Sequence, residues 1–209
     1  MTLTHDSIAA APAQTQEADA PADAPPAASA RAATTGAVVQ RPDIADDLLN
    51  RATTARQYRR RLAADFTETK LAAMQQLDLA NARVLHRIVD VHGWPGTHLV
   101  GVPGAEAAWQ IALHADGDTA LQHTALQAIH TAVGQGTARP DQWARLYDRC
   151  RVNSGLPQVY GTQYWYRPGV GVQRHPVTEP EHLQTRRAGV QLPPANDRDA
   201  TPYKEGQTG

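Results

Sequence analysis

Three short strings hold most of the residues that could do chemistry. His114-Ala115-Asp116-Gly117-Asp118 sets an imidazole and two carboxylates close together, and offers one nitrogen and two oxygens to a divalent metal. The string also reads without a metal. Asp118 then caps the next helix, Asp116 closes the turn, and His114 favours a helix C-terminus through the macrodipole. A metal site needs three or four ligands and no fourth is apparent, so none is assigned. Asp148-Arg149 are adjacent on a helix and point about 100° apart, so they must find separate partners. A buried Arg149 suits an anionic ligand through its forked donors, and a buried Asp148 can orient a histidine. Equally, either can bind backbone groups of the 152–163 loop and hold it. In Gln158-Val159-Tyr160-Gly161-Thr162-Gln163, two amides, a phenol and a hydroxyl surround one glycine. Tyr160 is a candidate proton or hydrogen-bond donor, and Gln158, Thr162 and Gln163 are candidates to orient a polar substrate. The competing reading is a polar network that fastens a hairpin to the helices.

Other groups carry less. His92, Trp94 and Pro95 read as a packed corner. His123 and His130 are too far apart on one helix face to share a metal, and read as exposed. Cys150, on an apolar face with no base in view, reads as core. Arg56, Arg59, Arg60 and Arg61 read as a solvated basic face.

Helices must position these strings. Ile44, Leu48, Ala52, Ala55, Tyr58 or Arg59, Leu62 and Phe66 step by threes and fours from Pro42, as one helix face does. Leu71, Met74, Leu77 or Asp78, Leu85, Ile88 and Val89 repeat the pattern up to Gly93, placed as a C-cap glycine. A third helix is predicted from Gly104 to the break at Asp116, a fourth from the Asp118 cap to Gly134, and a fifth from Pro140 through Cys150. Gln158 to Tyr166 is rich in aromatic and β-branched residues and predicts a strand. Pro168-Gly169 turns the chain and Val170 to His175 returns. A short helix around Glu179 to Arg187 completes the ordered part. The expected fold is mainly α: a single helical domain, 42–194, of about five helices with a C-terminal β-hairpin. A disordered Ala/Pro-rich tail, 1–41, and a flexible tail, 195–209, flank it.

Read in order, His92-Gly93-Trp94-Pro95, His114-Ala115-Asp116, Asp148-Arg149 and Gln158-Val159-Tyr160-Gly161-Thr162-Gln163 form the string HGWP, HAD, DR, Q-x-YGTQ. Arg186-Arg187-Ala188-Gly189-Val190 echoes a trailing RR-x-x-GL. The pattern resembles an uncharacterised bacterial family, a domain of unknown function, from about Leu71 to Pro194. Leu113 departs from it, because Gln commonly precedes the HAD triplet there. The resemblance implies positions and brings no catalytic residues or cofactor.

Composition bounds the rest. The 209 residues carry 20 Lys+Arg against 21 Asp+Glu, a formal charge of -1, without the basic excess of a general nucleic-acid binder. One cysteine excludes an internal disulfide and a cysteine zinc cluster. No apolar run reaches the roughly 18 residues of a membrane span. Met1 to Ala13 has Asp6 and no Lys or Arg before its apolar patch, unlike a signal peptide. The expectation is a soluble, cytoplasmic protein without nucleic acid or membrane, and a protein partner stays open.

Two functions remain. In one, the domain is a small-molecule binder or small enzyme for a polar or anionic substrate. His114, Asp148 and Tyr160 are its catalytic candidates, and Asp116, Arg149, Gln158, Thr162 and Gln163 its ligand-binding candidates. In the other, the same residues form an internal network in an interaction or accessory module.

Overall fold

A computed structural model describes residue 24 and residues 39–167 and 171–195. Within them the chain is mainly helical: α1 (Pro42–Ala64), α2 (Glu68–His92), α3 (Thr97–Leu113), α4 (Thr119–Gly134) and α5 (Pro140–Asn153) precede an antiparallel hairpin, β1 (Tyr164–Arg167) and β2 (Gly171–Arg174). A 3-10 turn, Pro180–His182, leads into α6 (Leu183–Gly189). The expected tail 1–41 lies outside the described residues apart from 24 and 39–41, as do the Pro168-Gly169 turn and 196–209. Arg41 is fastened, its N–H donating to the Leu99 carbonyl at 2.9 Å.

Local chemistry accounts for the helix ends. Pro42 opens α1, where a missing N–H costs nothing. The Thr67 side chain accepts from the Lys70 N–H and starts α2, and Gly93 ends it. As expected, Asp118 caps α4, its carboxylate accepting from the Leu121 N–H at 2.9 Å. Gln142 caps α5 by accepting from the Arg139 N–H.

Three expectations about the extent of the elements need correction. The third helix starts at Thr97, ahead of Gly104, and is broken at Gly101, whose φ is +71°. Glycine reaches that conformation without a Cβ clash, so a single turn precedes the break and Pro103 falls in the first turn of the longer segment. Phe66 lies past the end of α1 and is 59% exposed, so the apolar stripe stops short of it. The strand predicted over Gln158 to Tyr166 is only Tyr164–Arg167, and 158–163 is a loop.

The core lies between α1, α2, α3, α4 and α5. Leu48, Leu85, Val100, Ala108, Leu121, Val133 and Leu146 are all buried there. Trp143 stacks on Tyr147 with centroids 4.9 Å apart, and Tyr160 meets both rings edge-on at 5.9 and 6.2 Å. His130, expected to be exposed, is half-buried edge-on to Trp143. α1 packs most extensively on α3, and Gly104 permits the approach. A Cβ there would lie 2.8 Å from the Val100 Cβ and 3.2 Å from the Ala45 Cβ. Gly104→Ala should therefore lower stability by about 1–3 kcal/mol through overpacking, read from urea denaturation. An unchanged midpoint would show that the two helices are not locked at this point.

Candidate functional site

α5 divides the motif chemistry in two. Asp148 and Arg149 diverge as adjacent helix positions must, one toward the 158–163 loop and the other toward the α3–α4 turn.

Asp148 is fully buried, and among the described residues its side-chain hydrogen bonds come from the loop. Oδ1 accepts from the backbone N–H groups of Val159 at 2.8 Å and Tyr160 at 3.0 Å. Oδ2 accepts from the Thr162 N–H at 3.0 Å and the Thr162 hydroxyl at 2.8 Å. Burial pushes this carboxyl above its ordinary range, and those four donors pull against it. The far side of the loop is held by α6. Arg186 Nε donates to the Val159 carbonyl at 3.0 Å, and its Nη2 to the Thr178 and Glu179 carbonyls. Arg187 Nη1 donates to the Tyr160 carbonyl at 2.6 Å, and Nε to the Pro193 carbonyl at 2.7 Å. Both guanidinium groups are buried. Gln158, also fully buried, donates to the Gln163 and His175 carbonyls and accepts from the Gln163 N–H. Gly161 has a φ of +64°, and a Cβ there would press on Leu183 and Arg174 at 3.3 Å. Its turn breaks the strand alternation expected across 158–166.

Four sequence candidates are thus committed to the fold. Asp148 neither orients His114 nor faces it with a hydrogen bond. Gln158 and Thr162 bind the loop and Asp148. Tyr160 lies in the aromatic core, where burial pushes its phenol further from ionising.

The other four gather at the α3–α4 turn. Arg149 forms a forked ion pair with Asp116, with Nε at 2.8 Å from Oδ1 and Nη2 on Oδ2, and donates through Nη1 to Gln163 Oε1 at 3.3 Å. Asp116 also accepts from the Asn153 amide at 2.9 Å and the Gln122 amide at 3.3 Å. Burial works against its charge, but Arg149 and these amides hold the carboxyl below the usual range. His114 caps α3. Among the described residues nothing hydrogen-bonds its ring. Burial first, then the positive charges of Arg59 and Arg149, lower its pKa from 6.5 to about 3, with Asp116 opposing. His114, Asp116, Gln75, Gln76 and Asp78 line a cleft of ≈ 370 Å³ between α2 and the turn.

Some participants escaped the sequence reading. Arg59, taken for part of a solvated face, is paired with Asp78, and burial raises the Asp78 carboxyl against that pairing. Asp78 was visible only as a polar interruption of an apolar stripe. Gln122 and Asn153 carried no signal, and Arg186-Arg187 appeared only as a motif echo. Asp118 caps α4 and pairs with His86 at 2.9 Å; among the described residues no three His, Cys, Asp or Glu side chains are grouped to hold a metal. Burial raises the Cys150 thiol to about 11, as befits a core residue.

Two outcomes follow. Asp148→Ala strands the Val159, Tyr160 and Thr162 N–H groups without an acceptor and should cost about 3 kcal/mol or more in urea unfolding. A loss under about 1 kcal/mol would mean the loop does not depend on the carboxylate. Folded His114 takes up no proton until about pH 3, whereas the unfolded imidazole does so near 6.5. The unfolded state binds more protons across that window, so the His114 contribution to stability is lost as pH falls through it. Proton NMR should find the ring neutral at pH 5, and His114→Ala should flatten this part of the stability curve.

No curated protein and no solved structure matches the chain. The family of unknown function DUF6624 matches over residues 42–200, and the chain belongs to that family.

Proposed function

We propose that the domain binds a small polar molecule in the cleft at the α3–α4 turn, with His114 as the central hydrogen-bonding group. The observation that carries this reading is a contrast. The motif side chains around the loop have partners inside the protein, while the His114 ring borders an open cleft of ≈ 370 Å³ and, among the described residues, has no hydrogen bond of its own. A neutral imidazole both donates and accepts. Asp116, Asp78 and the Gln75 and Gln76 amides supply further acceptors and donors on the walls. Arg149 and Arg59 neutralise the two carboxylates from behind, which suits an uncharged or zwitterionic ligand better than the anion expected from Arg149 alone. An imidazole with a pKa of about 3 is a weak general base at neutral pH, so binding is favoured over proton-transfer catalysis. The reading places the protein in the cytoplasm, in keeping with one unpaired cysteine. No helix among the described residues is long and apolar enough to cross a membrane.

A second reading has its own support. The mutual satisfaction of Asp148, Gln158, Arg186 and Arg187 is what a structural core in an interaction or accessory module requires.

A thermal-shift screen of polar metabolites on the full chain separates the two, because a ligand of the native state raises the melting temperature. The expected result is a hit whose shift disappears in His114→Ala while the unliganded variant melts close to wild type. Hits indifferent to His114, or a screen without hits, would favour the interaction module.

A further inference from the structure

Two of the four tryptophans stand apart from the aromatic packing. Trp143 stacks on Tyr147, and Trp165 lies against His175 at 4.5 Å. Among the described residues, neither Trp94 nor Trp109 stacks on a ring or carries a guanidinium over its face. Both instead line one cavity of ≈ 200 Å³, formed where the start of α3 meets the end of α4 and the start of α5. Trp109 spends its indole N–H on the Gln142 carbonyl at 3.0 Å. The ring is thereby fixed, and its π-system is what remains to offer the cavity. Glu106, one turn earlier on α3, brings a carboxylate to the same wall.

These groups have one chemistry in common. Indole is the strongest side-chain partner for a cation over its face, and a desolvated wall strengthens the attraction. A nearby carboxylate supplies the counter-charge. Among the described residues no second Asp, Glu, His or Cys joins Glu106 on these walls, so the cavity does not make a metal site, and Val102, Ala105, Ile129 and Ala132 match alkyl groups carried on the charge. We propose that this cavity binds a small organic ammonium ion of the methylated or quaternary class, held by Trp94 and Trp109 with Glu106 as counter-ion. The site is independent of the His114 cleft, since Glu106 lies roughly 12 Å along α3 from His114.

Arg139 is the built-in competitor. Its Nη1 lies 3.4 Å from Glu106, while Nε is held by Asp141 at 2.9 Å. The side chain is 59% exposed, and an arriving ammonium takes over its share of Glu106, whose carboxylate keeps the neutral amides of Gln142 at 2.5 Å and Gln110 at 3.3 Å.

The test titrates choline, and separately its uncharged carbon isostere dimethylbutanol, into the full chain. It follows the indole N–H signals of Trp94 and Trp109 by NMR and the affinity by calorimetry. Choline should move both signals and bind on the order of tenfold more tightly than the isostere. Glu106→Gln should weaken choline binding, Arg139→Ala should strengthen it, Trp94→Ala should abolish it, and His114→Ala should leave it unchanged. Equal binding of the isostere would overturn the proposal, as would indole signals that ignore choline or a Glu106→Gln variant that binds like wild type. Should Trp94→Ala fail to fold, the Glu106 and Arg139 variants decide the matter.

Discussion

A carboxylate removed from water must find donors to replace its hydration, and at Asp148 those donors come from the backbone of one loop rather than from a cation. The N–H groups of Val159, Tyr160 and Thr162 converge on it, which is possible because the chain turns sharply at Gly161. The same turn points carbonyls the other way, toward Arg186 and Arg187. The loop is thus a polar layer between the one carboxylate that α5 turns toward it and the two guanidinium groups of α6. Each side would be costly to bury without the other.

That arrangement explains why residues that look catalytic in sequence have little freedom to react. Asp148 and Gln158 spend their lone pairs and protons largely on main chain, the Thr162 hydroxyl donates to the Asp148 carboxylate, and Tyr160 serves as an apolar plate against Trp143 and Tyr147. The link to the cleft runs through Gln163 and Arg149 to Asp116. The loop therefore contributes to the cleft indirectly, by fixing the guanidinium that fixes its carboxylate wall.

The helices were legible because their signals are local. Pro42, Asp118 and Pro140 mark beginnings, and apolar spacing marks the buried faces. The attachment of the loop to Asp148 was one of two readings open in the sequence, but its course was not legible, because a β-rich composition at 158–166 says nothing about whether the N–H groups will meet a strand or a side chain. Only the positive φ at Gly161 decides that, and glycine alone does not announce its sign. At the cleft, His114, Asp116 and Arg149 could be singled out from their types. The Arg59–Asp78 pair could not, since it joins two helices whose relative rotation no short-range pattern encodes. The apolar stripe was overextended to Phe66 because periodicity carries no information about where a neighbouring helix stops offering cover.

The order of elements along the chain gives the Asp148 layer a temporal meaning. A ribosome releases α5 before it has made the residues that complete the sandwich, and Arg187 reaches as far as the Pro193 carbonyl. Until those last segments are made, the Val159 and Tyr160 carbonyls lack the guanidinium donors that meet them in the finished fold. The closing helix of the fold thus supplies donors to a loop that an earlier helix anchors, and the two ends of that layer are joined only when both stretches of chain exist.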